Sequence, residues 1–136
     1  MKLDSVIFAG TNTFAQIGVK HILRDHCTRY DIVSEPTELI KSLNDRITLV
    51  VFYLSKGSGF GKELLAKVQK LGSVPILVIT ADYTRSIVKF LLSASVKGCL
   101  TDNCSMQEIQ EAIEKVSVGQ QFYCNSVLNN ALGTPD

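Results

Sequence analysis

Ile47-Thr-Leu-Val-Val-Phe-Tyr53 is the stretch whose reading decides the fold. It is β-branched and aromatic, and it reads as a strand covered on both faces. Four further runs share its character. Ser5-Val-Ile-Phe-Ala9 stops at Gly10, Tyr30-Asp-Ile-Val33 is shorter, and Val74-Pro-Ile-Leu-Val-Ile-Thr80 and Val96-Lys-Gly-Cys-Leu-Thr101 come later. Strands this apolar belong to a parallel sheet, because an antiparallel sheet with one wet face would alternate apolar with polar.

Amphipathic stretches lie between the strands. Thr13 with Gln16 predicts a capping box opening a helix over Thr13–Arg24. Pro36 at a first helical position opens a short helix to Leu43. Leu64, Leu65, Val68 and Leu71 form one stripe of a helix from Gly59 to Leu71. Asp82 is the expected cap of a helix running to Ser95, whose core stripe is Ile87, Leu91 and Ala94. Ser105 with Glu108 predicts a second capping box, and the stripe Met106, Ile109, Ala112, Ile113 and Val116 runs to a stop at Gly119. The order is a (βα)5 repeat. Right-handed crossovers then place helices on both faces of a doubly wound parallel α/β sheet. Ligands of such sheets sit beyond the carboxyl ends of the strands, so function is read from Gly10-Thr11-Asn12, Tyr53-Leu54-Ser55, Thr80-Ala81 and Thr101-Asp102.

Composition narrows the classes. The 136 residues suit one domain. A net charge of +1 argues against a dedicated nucleic-acid surface on this part of the chain. The apolar runs are far too short for a membrane span, and Asp4 stands where a signal peptide wants basic residues, so the expectation is a cytoplasmic protein without a membrane partner. Cys27, Cys99, Cys104 and Cys124 include no C-x-x-C pair, and the two histidines, His21 and His26, lie near only one of them. This predicts reduced cysteines, with Cys99 buried, and no metal site.

The order and spacing of several segments carry a resemblance. They are Val6-Ile-Phe, Gly18-Val-Lys-His-Ile-Leu23, Leu49-Val-Val-Phe to Leu54, Pro75-Ile-Leu-Val-Ile-Thr80-Ala81, Gly98-Cys-Leu, and Glu111-Ala-Ile to Gly119-Gln-Gln-Phe-Tyr123. Over residues 5 to 132 the chain resembles the receiver domain of response regulators, of the kind joined to a LuxR-type helix-turn-helix output domain. The resemblance implies a receiver/flavodoxin-like sheet of strand order 2-1-3-4-5. It also implies a regulatory domain over residues 1–122, with 123–136 starting a linker to an absent output domain.

The family's chemistry needs an acidic pair after the first strand to hold Mg²⁺, a phosphoacceptor Asp ending the third, a Thr or Ser after the fourth and a Lys after the fifth. Here the acidic pair falls on Gly10 and Thr11, the phosphoacceptor on Tyr53, and the Lys on Asp102 or its neighbour Thr101. Thr80 alone is retained as a switch-type residue. The losses agree with one another. Without carboxylates no Mg²⁺ is held, without Mg²⁺ and Asp no aspartyl phosphate forms, and Asp102 would repel a phosphate. The resemblance thus implies the fold and contradicts the family's activity. The expectation is a non-catalytic, phosphorylation-independent regulatory and dimerisation domain of a transcriptional regulator, with no metal and no cofactor. Tyr53 is expected to plug the vacated acidic pocket with its ring, hydroxyl toward solvent.

Val88, Phe90 and Leu92 lie partly outside the core stripe of the fourth helix and form a candidate interface, for a homodimer or for the chain's own output domain. A protein partner or a small ligand is the expected signal, and DNA is reached only through the missing C-terminal domain.

Two other readings stay open. One is a stand-alone protein-interaction module. The other is a flavodoxin-like protein binding FMN, since Gly10-Thr-Asn-Thr13 is similar to a phosphate loop and Ser55-Lys-Gly-Ser-Gly-Phe-Gly61 could cover a ring or simply be a flexible connection. Gly57, Gly59, Gly61 and Lys62 do not make a nucleotide loop, because position 56 is Lys and position 63 is Glu.

Overall fold

A computed structural model describes residues 3–71, 74–81, 84–94, 96–124 and 127. The elements are β1 (Leu3–Ala9), α1 (Thr13–Leu23), β2 (Cys27–Val33), α2 (Pro36–Ser42), β3 (Leu49–Leu54), α3 (Lys62–Leu71), β4 (Ile76–Thr80), α4 (Arg85–Ser93), β5 (Gly98–Thr101), α5 (Met106–Ser117) and β6 (Phe122–Tyr123). The strands form one sheet in the order β2-β1-β3-β4-β5-β6, and every pairing is parallel. The expected order holds, with a sixth strand added at the β5 edge.

β3 lies at the centre, and all six of its residues are buried, as the Ile47–Tyr53 run requires. β4 is buried along its whole length too. β2 begins three residues earlier than its apolar run suggests. Thr28 and Arg29 are exposed on this edge strand, so the pairing of Leu3 with Cys27 and Ser5 with Arg29 leaves no hydrophobic trace in the sequence.

Caps and stripes account for the helices, with corrections. α1 is capped by Asn12, whose side-chain oxygen accepts from the Ala15 amide at 2.8 Å; the Thr13–Gln16 box does not form. Ser105 and Glu108 make the full reciprocal box on α5. Met106, placed in the α5 core stripe from its spacing, is 48% exposed, and the buried stripe is Ala112, Ile113 and Val116. α4 starts at Arg85 with Thr84 at its N-cap; Asp82 and Ser95 lie outside the described residues. Val88, expected outside the α4 core stripe, is fully buried with Leu91, whereas Ile87 and Ala94 are only half-buried. The helix is rotated on the sheet relative to the expected stripe, and Val88 is therefore withdrawn from any surface role. α3 begins at Lys62, not Gly59, because the preceding loop is folded back. Phe60 is buried edge-on to Phe52, with ring centroids 6.0 Å apart, and its carbonyl accepts from the Ser55 amide at 3.1 Å. The Ser55–Gly61 loop is thus anchored in the core.

The sheet continues through β6, across the boundary expected at residue 122. The Phe122 amide donates to the Lys97 carbonyl at 2.9 Å, the Tyr123 hydroxyl donates to the Val96 carbonyl, and Cys124 is buried.

Candidate functional site

The carboxyl ends of β1, β3, β4 and β5 meet at one edge of the sheet. Ala9 pairs with Phe52, so Gly10 comes next to Tyr53. Tyr53 pairs with Ile79, and Thr80 pairs with Thr101. The fold therefore brings Gly10, Tyr53, Thr80 and Asp102 into one neighbourhood. Thr11 stands in the turn beyond β1, exposed. Val88, Phe90 and Leu92, the candidate interface, are on α4, and none of them lines the groove that opens over Tyr53.

Tyr53 is only 4% exposed. Burial, and secondarily the Asp102 carboxylate, push its phenol above the ordinary tyrosine range, so the ring stays neutral at physiological pH. Its hydroxyl was expected to face solvent, but far less of the side chain is in solvent than a free hydroxyl would give. The contact with Gly10 is tighter than a plug requires. A Cβ built on Gly10 would lie 2.8 Å from the Tyr53 Cβ and 3.4 Å from the Tyr53 carbonyl oxygen. The first figure is below what real carbon pairs tolerate, so the two strand ends meet at a distance that only glycine permits. The obstruction lies at the Cβ of residue 53, which every side chain but glycine shares.

Thr80 is fully buried, and its carbonyl accepts from the Asp102 amide at 3.2 Å. This bond extends the β4–β5 ladder by one residue, and Asp102 is exposed at the rim. Of the two positions considered for the Lys, Thr101 is in register with Thr80 and buried, and Asp102 projects beyond it. The Thr101 hydroxyl accepts from the Asn103 amide at 3.3 Å and lies 3.6 Å from the Cys104 sulfur. Burial pushes the Cys104 thiol up to about 11 and the Cys99 thiol up to about 12. Both therefore stay protonated and poorly nucleophilic, like buried structural cysteines. Among the described residues no group of three or more His, Cys, Asp or Glu is arranged to hold a metal ion.

Over Tyr53 opens a groove of about 430 Å³ between the first turns of α1 and α5. Tyr53 and Ile79 line it from the strands, Phe14 and Gly18 from α1, Met106 from α5, and Asp102 from the β5 turn. Sequence reasoning missed Phe14. The buried face of α1 is Val19 and Leu23, with Ala15 and Ile22 half-buried, and Phe14 lies off that face at 89% exposed. An aromatic two residues after a cap and outside the core spacing was the available signal.

No family model and no curated protein sequence matches the chain. Solved structures do. It superposes on the RcsB response regulator of Salmonella typhimurium with a TM-score of 0.82 at 19% identity, covering 96% of this chain and 70% of that one. The isolated REC domain of RcsB from Salmonella enterica serovar Typhimurium, with the phosphomimetic BeF3-, gives 0.81 at 19% identity, over 96% of this chain and 99% of that one. A LuxR-family two-component response regulator from Aurantimonas sp. SI85-9A1 gives 0.78 at 16% identity, over 93% and 94%. The fold is therefore that of response-regulator receiver domains.

Proposed function

We propose that the chain is a receiver-fold regulatory domain that works without aspartyl phosphorylation, as part of a transcriptional regulator. One observation carries the reading: the phosphoacceptor position is a buried Tyr53, packed against Gly10 so closely that position 10 has no room for the side chain of an acidic residue. Asp102 adds a negative charge where a phosphate would need a positive one. Such a domain is non-catalytic and transmits by association and by contact with an output domain. The RcsB structures include a complex with DNA and two dimers bound to two parallel DNAs, and this chain spans 68% of each of those chains. A DNA-binding part would lie beyond the region described, after β6. Among the described residues no helix is long and apolar enough to cross a membrane, in keeping with a cytoplasmic regulator.

Incubation with acetyl phosphate and Mg²⁺, followed by intact-mass measurement, tests this. The unmodified mass is expected, and a stoichiometric gain of one phosphoryl group would overturn the reading.

The α4 surface is the proposed association face, now reduced to Phe90 and Leu92. Leu92 is 39% exposed, and Phe90 is half-buried beneath the Lys62 ammonium, 5.4 Å from the ring centroid. Light scattering should give a dimer mass for the wild type at high concentration and a monomer for Leu92→Asp. A Leu92→Asp variant that stays folded and associates unchanged removes this face from the account.

A further inference from the structure

We propose that the groove over Tyr53 is a receptor site for a small aromatic molecule that is neutral or carries an amine, and that its occupancy is the input that replaces phosphate. The proposal rests on reading the chain as phosphorylation-independent, and it names the signal for that same edge of the fold.

The position is the one where doubly wound sheets take ligands, outside the carboxyl ends of the central strands. The volume, about 430 Å³, falls within the roughly 300–1,000 Å³ of small-molecule sites. The lining is mostly apolar, with Ile79 beside the Tyr53 ring and Phe14 and Met106 at the mouth. Phe14 is 89% and Met106 48% exposed, and both line the same opening. One exposed apolar side chain needs no explanation, but two converging on a formed cavity supply the contact area that an aromatic guest would bury.

Charge selects among guests. Among the described residues Asp102 is the charged one in the lining, and no Lys, Arg or His joins it. A phosphate or carboxylate would meet a carboxylate in a largely apolar groove, with nothing to neutralise it. An amine would meet Asp102, and a ring would lie against Tyr53 and Phe14. A guest held there contacts α1, α5 and the turn after β5 together, which is how occupancy would reach the rest of the domain.

Gly18 provides the means of test. It lines the groove from within α1, and a Cβ placed on it meets nothing within 4 Å. A larger side chain there starts from open space on the groove wall, and a helix interior favours it over glycine. Indole, tryptamine and benzoate are titrated into the ¹⁵N-labelled protein and followed by amide shifts. Saturable shifts are expected at Gly18, Tyr53 and Asp102 with indole and tryptamine, with benzoate weaker by about tenfold or more. Gly18→Leu and Gly18→Met should each weaken both binders by about tenfold while circular dichroism stays native. Asp102→Asn should weaken tryptamine and leave indole unchanged. The proposal is overturned if indole and tryptamine leave these amides unmoved at millimolar concentration, if benzoate binds as well as they do, or if folded Gly18 variants bind unchanged. The same sample is treated with acetyl phosphate. A phosphoryl mass gain overturns the phosphorylation-independent reading itself, whereas silent probes on a phosphate-inert protein overturn this inference alone.

Discussion

Tyr53→Asp is expected to lower the unfolding free energy by about 3–5 kcal/mol, a large part of the roughly 5–15 kcal/mol that holds a domain of this size together. Tyr53 is 4% exposed at the end of the central strand. Truncating it removes the floor of the groove and leaves a space lined by apolar side chains. The new carboxylate would sit in that space near the Asp102 carboxylate, which already disfavours negative charge at Tyr53. Urea unfolding followed by circular dichroism measures the loss. Tyr53→Phe keeps the ring and should stay within about 1 kcal/mol of the wild type. Despite restoring the phosphoacceptor residue type, Tyr53→Asp should remain inert to acetyl phosphate, because Gly10 and Thr11 supply no metal ligand.

Gly10→Asp is expected to cost about 3 kcal/mol or more, from two sources. The added Cβ falls 2.8 Å from the Tyr53 Cβ, so the strand ends must separate, and the carboxylate is placed at a buried position. Gly10→Ala isolates the first source and should cost about 1–3 kcal/mol in the same urea experiment. Thr11→Asp makes a useful contrast. Thr11 is exposed, and its replacement should change stability by no more than about 0.5 kcal/mol. The double variant Gly10→Asp with Tyr53→Asp should not recover stability, since aspartate at 53 still carries the Cβ that obstructs position 10. Recovery would mean that the tyrosine ring, and not the spacing of the strand ends, excludes the acidic pair. Without recovery, the loss of phosphorylation chemistry is built into the backbone path at this edge.

How far the molecule was legible beforehand depends on what kind of force places each part. The buried strands could be read directly, because β3 and β4 are covered on both faces and their runs stay apolar throughout. The edges could not. Exposed Thr28 and Arg29 hide the first half of β2, and β6 is two residues held by backbone pairing and the Tyr123 hydroxyl, neither of which leaves a hydrophobic pattern. Capping chemistry was legible where two side chains cooperate, at Ser105 and Glu108, and misassigned by one residue where a single Asn12 does the work. The α4 face was misjudged because a nine-residue helix with apolar residues at several spacings allows more than one rotation on the sheet, and only packing selects Val88 over Ile87. At the site, the residue identities at positions 10, 53, 80 and 102 were readable, and so was the chemistry they lack. The Cβ contact between positions 10 and 53 and the groove beneath Phe14 were not, because both arise from how closely separate strands and helices approach.

The most direct test of the central claim is an amide-shift titration of the wild-type protein with Mg²⁺ and then beryllofluoride. A domain that has lost the acidic pocket should leave the amides of Gly10, Tyr53, Thr80 and Asp102 where they are, even at millimolar Mg²⁺. A new set of saturating, slowly exchanging signals at those four residues would show a working phosphoryl site and would contradict the account.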